Sequence, residues 1–296
     1  MITTLRALTG GLLLLAVPVA AAGPREPVAI IYQISGGAQR TAPGHSTQPL
    51  RLYDRLPAGV TLEVPSGSRV TLAFVGGKRY EISGPARAKL GPRDLAARSG
   101  AVKTLASVPS FQLEPIAASD HPGPAAGAII IRAEGITGLY PCRGTAALAE
   151  EAVLLFKPVP GAMEYRIEVQ DSQGQTVFQT DAGSPPVKVP AEVLQSGHRY
   201  WWTVRTLDRP GPVARGEAEL VTLSASAAQK RERAREVLAA EGDDSLPLLA
   251  EIDRGLGLWL EARDELRTAL DQEPGDPELR SALAAIQARL EAGDGR

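Results

Sequence analysis

Three histidines, His45, His121 and His198, are the residues best suited to bind a metal or move a proton. They stand in separate segments with no Cys or acid at ligand spacing, so no metal site is expected. There is no Gly-x-Ser-x-Gly elbow, and Gly76-Gly77-Lys78 lacks the preceding glycine and following Ser or Thr of a phosphate-cradling loop. Glu150-Glu151 reads as a solvated loop tip rather than a general acid and base. Asp243-Asp244 precedes a helical pattern, so Asp244 reads as an N-cap rather than a calcium ligand. The single cysteine, Cys142, is either buried or open to intermolecular pairing. That leaves Tyr200-Trp201-Trp202, the one aromatic cluster. With Tyr200 and Trp202 facing inward on a strand, Trp201 faces outward as the candidate ligand or partner surface. It either stacks on a sugar ring or is covered by another part of the chain. No catalytic residue and no cofactor is expected.

The start of the chain bears on compartment. Arg6 is the only charge before an apolar run from Leu12 to Val19, which leads into Ala20-Ala21-Ala22 and then Gly23-Pro24-Arg25-Glu26. A lone positive charge, a short apolar core and a small-x-small end describe a secretory signal peptide over residues 1–22. The run is well short of the ~20 residues that a membrane-spanning helix needs, and no second long apolar run follows. A periplasmic or secreted protein is therefore expected, with no transmembrane helix after cleavage and no nucleic-acid partner. Asn is absent, and Ala, Gly, Arg and Pro are abundant, which suggests a bacterial source. Charge is uneven. Residues 25–117 hold twelve Lys/Arg against six Asp/Glu, whereas residues 225–296 hold ten against sixteen. This is either ordinary solvated surface or a basic face for an anionic glycan or lipid, set against an acidic tail.

Three textures divide the mature chain. Residues 23–117 read as short strands, Val28–Tyr32, Gly59–Val64, Arg69–Phe74 and Arg79–Ser83, the middle two alternating apolar and polar. Gly76-Gly77 reads as a tight primed hairpin turn, and one modest core is expected. A Pro/Gly/Ala-rich linker, residues 118–127, leads to more strands across residues 128–224, beginning with Ala128–Arg132. From residue 225 to 296 the period becomes helical, with helices expected over Ala227–Ala240 and Asp276–Leu290 and two between them. The fold class is multidomain: two all-β domains followed by an all-α tail.

Particular residues carry three resemblances. Leu194-Gln-Ser-Gly197-His-Arg-Tyr200, with Trp202 and Val204 at period two, resembles the tyrosine corner of a fibronectin type III or immunoglobulin-like sandwich. Leu154 and Phe156 would then lie on its second strand and Tyr165, Ile167 and Val169 on its third. Leu52-Tyr-Asp-Arg-Leu-Pro-Ala-Gly59, Ser68 to Gly77 and Arg79-Tyr-Glu-Ile-Ser-Gly-Pro85 are similar to the FecR-like domain of bacterial envelope proteins. That family's signalling members need a membrane helix, which is not found here. Residues from Asp243 resemble a tetratricopeptide unit, with Leu246, Leu249 and Ala250 on its first helix and Gly257, Ala262, Leu266, Ala269 and Pro274 on or after its second. Asp253 falls where an aromatic is common and should weaken that turn. A tail of this size should need docking on the outer sandwich face around Trp201, on the basic first domain or on an external peptide; its acidity favours a basic peptide. These resemblances imply an envelope adaptor or assembly scaffold without enzymatic activity, binding a protein or peptide through the tail. The alternative is a glycan- or peptidoglycan-binding envelope protein that uses the basic first domain and Trp201.

Overall fold

The computed structural model describes residues 26–113, 135–208, 213–240 and 245–292. The expected signal peptide, the 118–127 linker, the Ala128–Arg132 strand, His121 and Asp243-Asp244 lie outside the described residues.

The first body is one antiparallel sheet of eight strands. They are β1 (Pro27–Ser35), β2 (Gln39–Thr41), β3 (Gln48–Pro49), β4 (Arg55–Pro57), β5 (Thr61–Val64), β6 (Arg69–Phe74), β7 (Arg79–Leu90) and β8 (Leu95–Leu105). β7 is its spine. Residues 79–83 pair with β6, residues 86–89 pair with β5, and β8 runs along the other edge throughout. The β6–β7 hairpin forms, but through four residues, with Gly77 alone at positive φ, +92°. Gly77 is required there for a second reason: a Cβ would lie 2.0 Å from the Val108 carbonyl oxygen, whose residue crosses back over the turn.

One modest core was the expectation, and β1 shows why it fails. Ala29 and Ile31 enter the core formed by Leu56, Leu62, Val70, Leu72, Ile82 and Leu90. Ile30 and Tyr32 point the other way, into a second core with Ala73 and Val108. A strand buried on both faces has no reason to alternate, hence the continuous apolar run.

The second body is a β-sandwich of the fibronectin type III/immunoglobulin-like kind. β9 (Val153–Leu154) pairs with β12 (Val187–Lys188), and β10 (Tyr165–Gln170), β11 (Thr176–Ala182), β13 (Arg199–Thr206) and β14 (Arg215–Val221) form the order β11-β10-β13-β14. The strand expected over Leu154 and Phe156 ends at Leu154; Phe156 instead packs its ring on Tyr165, 4.8 Å between centroids. β13 alternates as its sequence requires, with Tyr200, Trp202 and Val204 buried and Trp201 outward. The Tyr200 hydroxyl accepts from the Gln195 N–H at 2.9 Å, forming the tyrosine corner. The Trp202 indole N–H donates to the Pro141 carbonyl at 2.8 Å.

Four helices close the described chain: α1 (Ala225–Ala239), α2 (Leu246–Gly255), α3 (Trp259–Gln272) and α4 (Pro277–Ala292). Ser224 caps α1 by accepting from the Ala227 N–H at 3.3 Å. Asp276 caps α4 by accepting from the Glu278 and Leu279 N–H groups at 2.7 and 3.0 Å, with Pro277 at the first helical position. Small residues let the helices approach: Ala250, Ala262 and Ala269 pack with Leu266, Leu279, Leu283 and Ile286. Among the described residues no helix is long and apolar enough to cross a membrane.

Candidate interaction surfaces

The tail has two seats, and both are intramolecular. On the first body, Ala234 and Leu238 of α1 with Leu248, Leu249 and Ile252 of α2 cover Ile30, Tyr32, Ala73 and Val108. The rim is polar. The Tyr53 hydroxyl donates to the Pro247 carbonyl at 3.3 Å, and Arg55 reaches Glu251 at 2.9 Å. Glu251 is held from its other side by Arg254, at 2.6 and 2.8 Å. The basic first body and the acidic tail thus meet in one arginine–glutamate–arginine cluster. Of the docking places expected within the chain, the tail uses this one and leaves Trp201 alone.

The second seat is on the sandwich, beside β14. After α2 the chain turns at Gly257, φ +79°, whose carbonyl accepts from the Ala146 N–H at 2.9 Å. A Cβ on Gly257 would stand 3.1 Å from that nitrogen and would hold this positive φ only under strain, so a side chain here would loosen the contact. Leu258 follows, fully buried against Ala146 and Leu223. It offers α3 no side-chain cap. Beside this turn the Tyr140 hydroxyl of the sandwich donates to the Ala146 carbonyl at 3.2 Å, and burial, with the Glu261 charge adding to it, pushes that hydroxyl well above the ordinary tyrosine range.

Behind this seam lies a group of buried charges. Asp253 is fully buried and takes both Nε and Nη2 of Arg231 on α1, at 2.8 and 2.7 Å. The weak turn expected at Asp253 is corrected: the residue joins α2 to α1 through a bidentate pair. Glu265 on α3 lies 3.5 Å from Arg231. Its buried Oε2 meets no N–H or hydroxyl donor. Burial, then the Asp253 charge, pushes the Glu265 carboxyl well above the usual carboxylate range. Glu261, one turn earlier, also has a buried oxygen without a donor, and burial pushes its carboxyl up to about 7. The sequence carries a signal for this cluster that the apolar spacing hid. Arg231 occupies the stripe formed by Ala227, Ala234 and Leu238, and Asp253 occupies that of Leu249 and Ile252. A charge on each of two facing apolar stripes calls for pairing.

The other candidate residues stay apart. Trp201 is 37% exposed on the outer face of the four-stranded sheet, opposite Gln170 on β10 and Glu219 on β14. The His45 and His198 imidazoles each bond a nearby carbonyl, of Pro43 and Ser196. Cys142 is buried, in a loop where the Thr145 hydroxyl bridges its N–H and carbonyl. Glu150 and Glu151 form an exposed turn. Among the described residues no group of His, Cys, Asp and Glu has the makings of a metal site.

No protein-family model matches the chain, and no curated protein does. Among solved structures it is similar to the FN1–FN3 domains of chicken CNTN1, 11% identical over 68% of this chain and 55% of that one, TM-score 0.25. It is similar also to a segment of two fibronectin type III domains from chicken tenascin, 11% identical over 68% of this chain and 95% of that one, TM-score 0.23. A β-D-glucuronidase from Dictyoglomus thermophilum shares 11% identity over 67% of this chain and 44% of its own, TM-score 0.20. The chain spans about half the length of the CNTN1 structure. These overlaps are slight, and the sandwich assignment rests on the strand order and the Tyr200 corner.

Proposed function

We propose that this is an exported bacterial envelope protein that acts as a non-enzymatic adaptor or assembly scaffold, its first body FecR-like and its tail tetratricopeptide-like. The observation that carries this reading is the double seating of the tail. Apolar burial on β1, the Gly257–Ala146 hydrogen bond and the packing of Leu258 on Ala146 and Leu223 hold the helices against both β bodies. A chain built this way presents several faces at fixed relative positions, which is what a scaffold needs, while its chemically capable side chains are spent on holding bodies together. The partner is an envelope protein or peptide that meets the tail.

The test has three parts. Fractionation and N-terminal sequencing should find the protein in the periplasm or medium, beginning after Ala22. Crosslinking in intact envelopes should join it to a defined protein, at residues of the tail. Turnover of an envelope substrate that disappears on a single Asp or Glu substitution would refute the non-enzyme reading.

A second reading has one specific observation in its favour. Trp201 is the aromatic side chain exposed on an otherwise polar sheet face, between an amide and a carboxylate, the companions a sugar ring would use. Under that reading the protein binds glycan or peptidoglycan, with the basic first body meeting anionic groups. It should then sediment with purified cell wall, and Trp201→Ala should abolish sedimentation.

A further inference from the structure

We propose that the cleft between the sandwich and the last two helices takes an acidic, extended peptide segment of a partner protein. This rests on the adaptor reading and names the chemistry of its partner. The cleft has a volume of about 380 Å³, within the ordinary range for binding clefts, and it lies between two bodies, where such sites concentrate. Lys157, Pro185 and Pro186 line the sandwich side, and Arg263, Arg267 and Leu290 line the helical side.

Charge decides the sign of the occupant. Arg263 and Arg267 stand four residues apart on one face of α3, and Lys157 faces them from the sandwich, against a single lining carboxylate, Glu291. Asp264 takes up Arg263, at 2.8 Å to Nε and 2.7 Å to Nη2, but lies 3.9 Å from Arg267. Lys157 has no carboxylate partner among the described residues, and both Lys157 and Arg267 are exposed. The tail as a whole is acidic, which by itself favours a basic peptide. The cleft reverses that sign, because Arg263 and Arg267 outnumber Glu291 on its helical wall, while three of the tail's acids lie in the buried cluster around Arg231. Cations on both walls attract carboxylates and repel a basic segment, which is discrimination by charge rather than by area.

The walls also choose between classes of anion. Leu155 and Leu290 supply apolar floor, and the one aromatic in the lining, Phe156, is 4% exposed with its ring packed on Tyr165. A sugar ring therefore finds no stacking platform here, whereas apolar side chains of a peptide can use the floor while its carboxylates meet the walls. An occupant touching both walls also clamps the tail to the sandwich, so binding should raise the melting temperature.

The experiment uses the full mature chain. A fluorescent short peptide of Glu, Ala and Leu, its counterpart with Lys for Glu, and a uronic-acid oligosaccharide are titrated by anisotropy at low and physiological salt. The Glu peptide should bind with a salt-sensitive affinity and raise the melting temperature. Lys157→Glu and Arg267→Glu should each weaken it by about tenfold or more without changing the melting temperature of the free protein. Indifference of the Glu peptide to both variants, or its failure to bind, overturns the proposal. Stronger binding of the Lys peptide overturns the acidic partner but leaves the adaptor reading standing. Uronate that displaces the Glu peptide and is lost with the same variants assigns the cleft to glycan and also overturns it. The adaptor reading falls separately, if no protein crosslinks to the tail in envelopes.

Discussion

Glu261→Gln should remove a pH dependence of stability that one buried carboxyl imposes on the wild type. Glu261 lies in the first turn of α3, where the helix dipole and its own backbone N–H favour the charged form. Burial outweighs them, and the nearby carboxylates of Asp253 on α2 and Glu151 on the sandwich add to it, with Arg231 on α1 opposing; the carboxyl moves from 4.5 to about 7. The folded protein thus holds a proton that the unfolded chain has already lost. Stability is fully present below the unfolded value, falls as pH rises, and levels off above about 7. At about 1.4 kcal/mol per pKa unit, ionising Glu261 in place removes up to about 3 kcal/mol. Gln has nothing to ionise. Urea unfolding of both proteins across mildly acidic to mildly alkaline pH measures the difference directly. The variant should gain on the wild type by up to about 3 kcal/mol over that window, effects shared by both proteins cancelling. A difference that stays flat with pH would mean that Glu261 ionises normally, and would refute the burial of its carboxyl in the seam.

The ion pair behind the seam gives a second test. Asp253→Ala removes the bidentate partner of Arg231, whose side chain is 7% exposed, leaving only Glu265 at 3.5 Å, and should cost about 3 kcal/mol, whereas Arg231→Met with Asp253→Leu should recover most of that in the same denaturation assay. Simple addition of the two single effects would count against the pair. Tyr200→Phe should destabilise the sandwich by roughly 1–3 kcal/mol by leaving the Gln195 N–H without its acceptor, and Trp201→Ala by far less; equal shifts in thermal melts would contradict the register of β13. Residues 225–296 expressed alone lose both seats and should show no cooperative melt by circular dichroism, while a transition like that of the intact protein would mean the seats contribute nothing.

Local pattern determined a good deal of this protein. The alternation in Tyr200–Val204 fixes which side chains enter a core, because a strand's side chains change face at every residue and need no distant information to do so, whereas the same alternation in Arg69–Phe74 misleads, since Thr71 and Ala73 are buried on the strand's other face. The outward placement of Trp201 and the Tyr200 corner were legible for that reason. So were the four helices, whose Ala and Leu recur at helical spacing. β8 was not. Leu95–Leu105 runs through Ala-Ala-Arg-Ser-Gly-Ala with neither alternation nor β-branched enrichment, and it is a strand because β7 offers it a free edge. Only the tertiary structure decided the rest. Asp253 reads as a flaw on an apolar stripe until Arg231, twenty-two residues earlier, is brought against it. The tail's net acidity says nothing of which face its arginines share, and that face points at Lys157 across a cleft that no single segment contains. Charge, unlike strand periodicity, acts through space between segments far apart in sequence, so its meaning waits on the packing that brings them together.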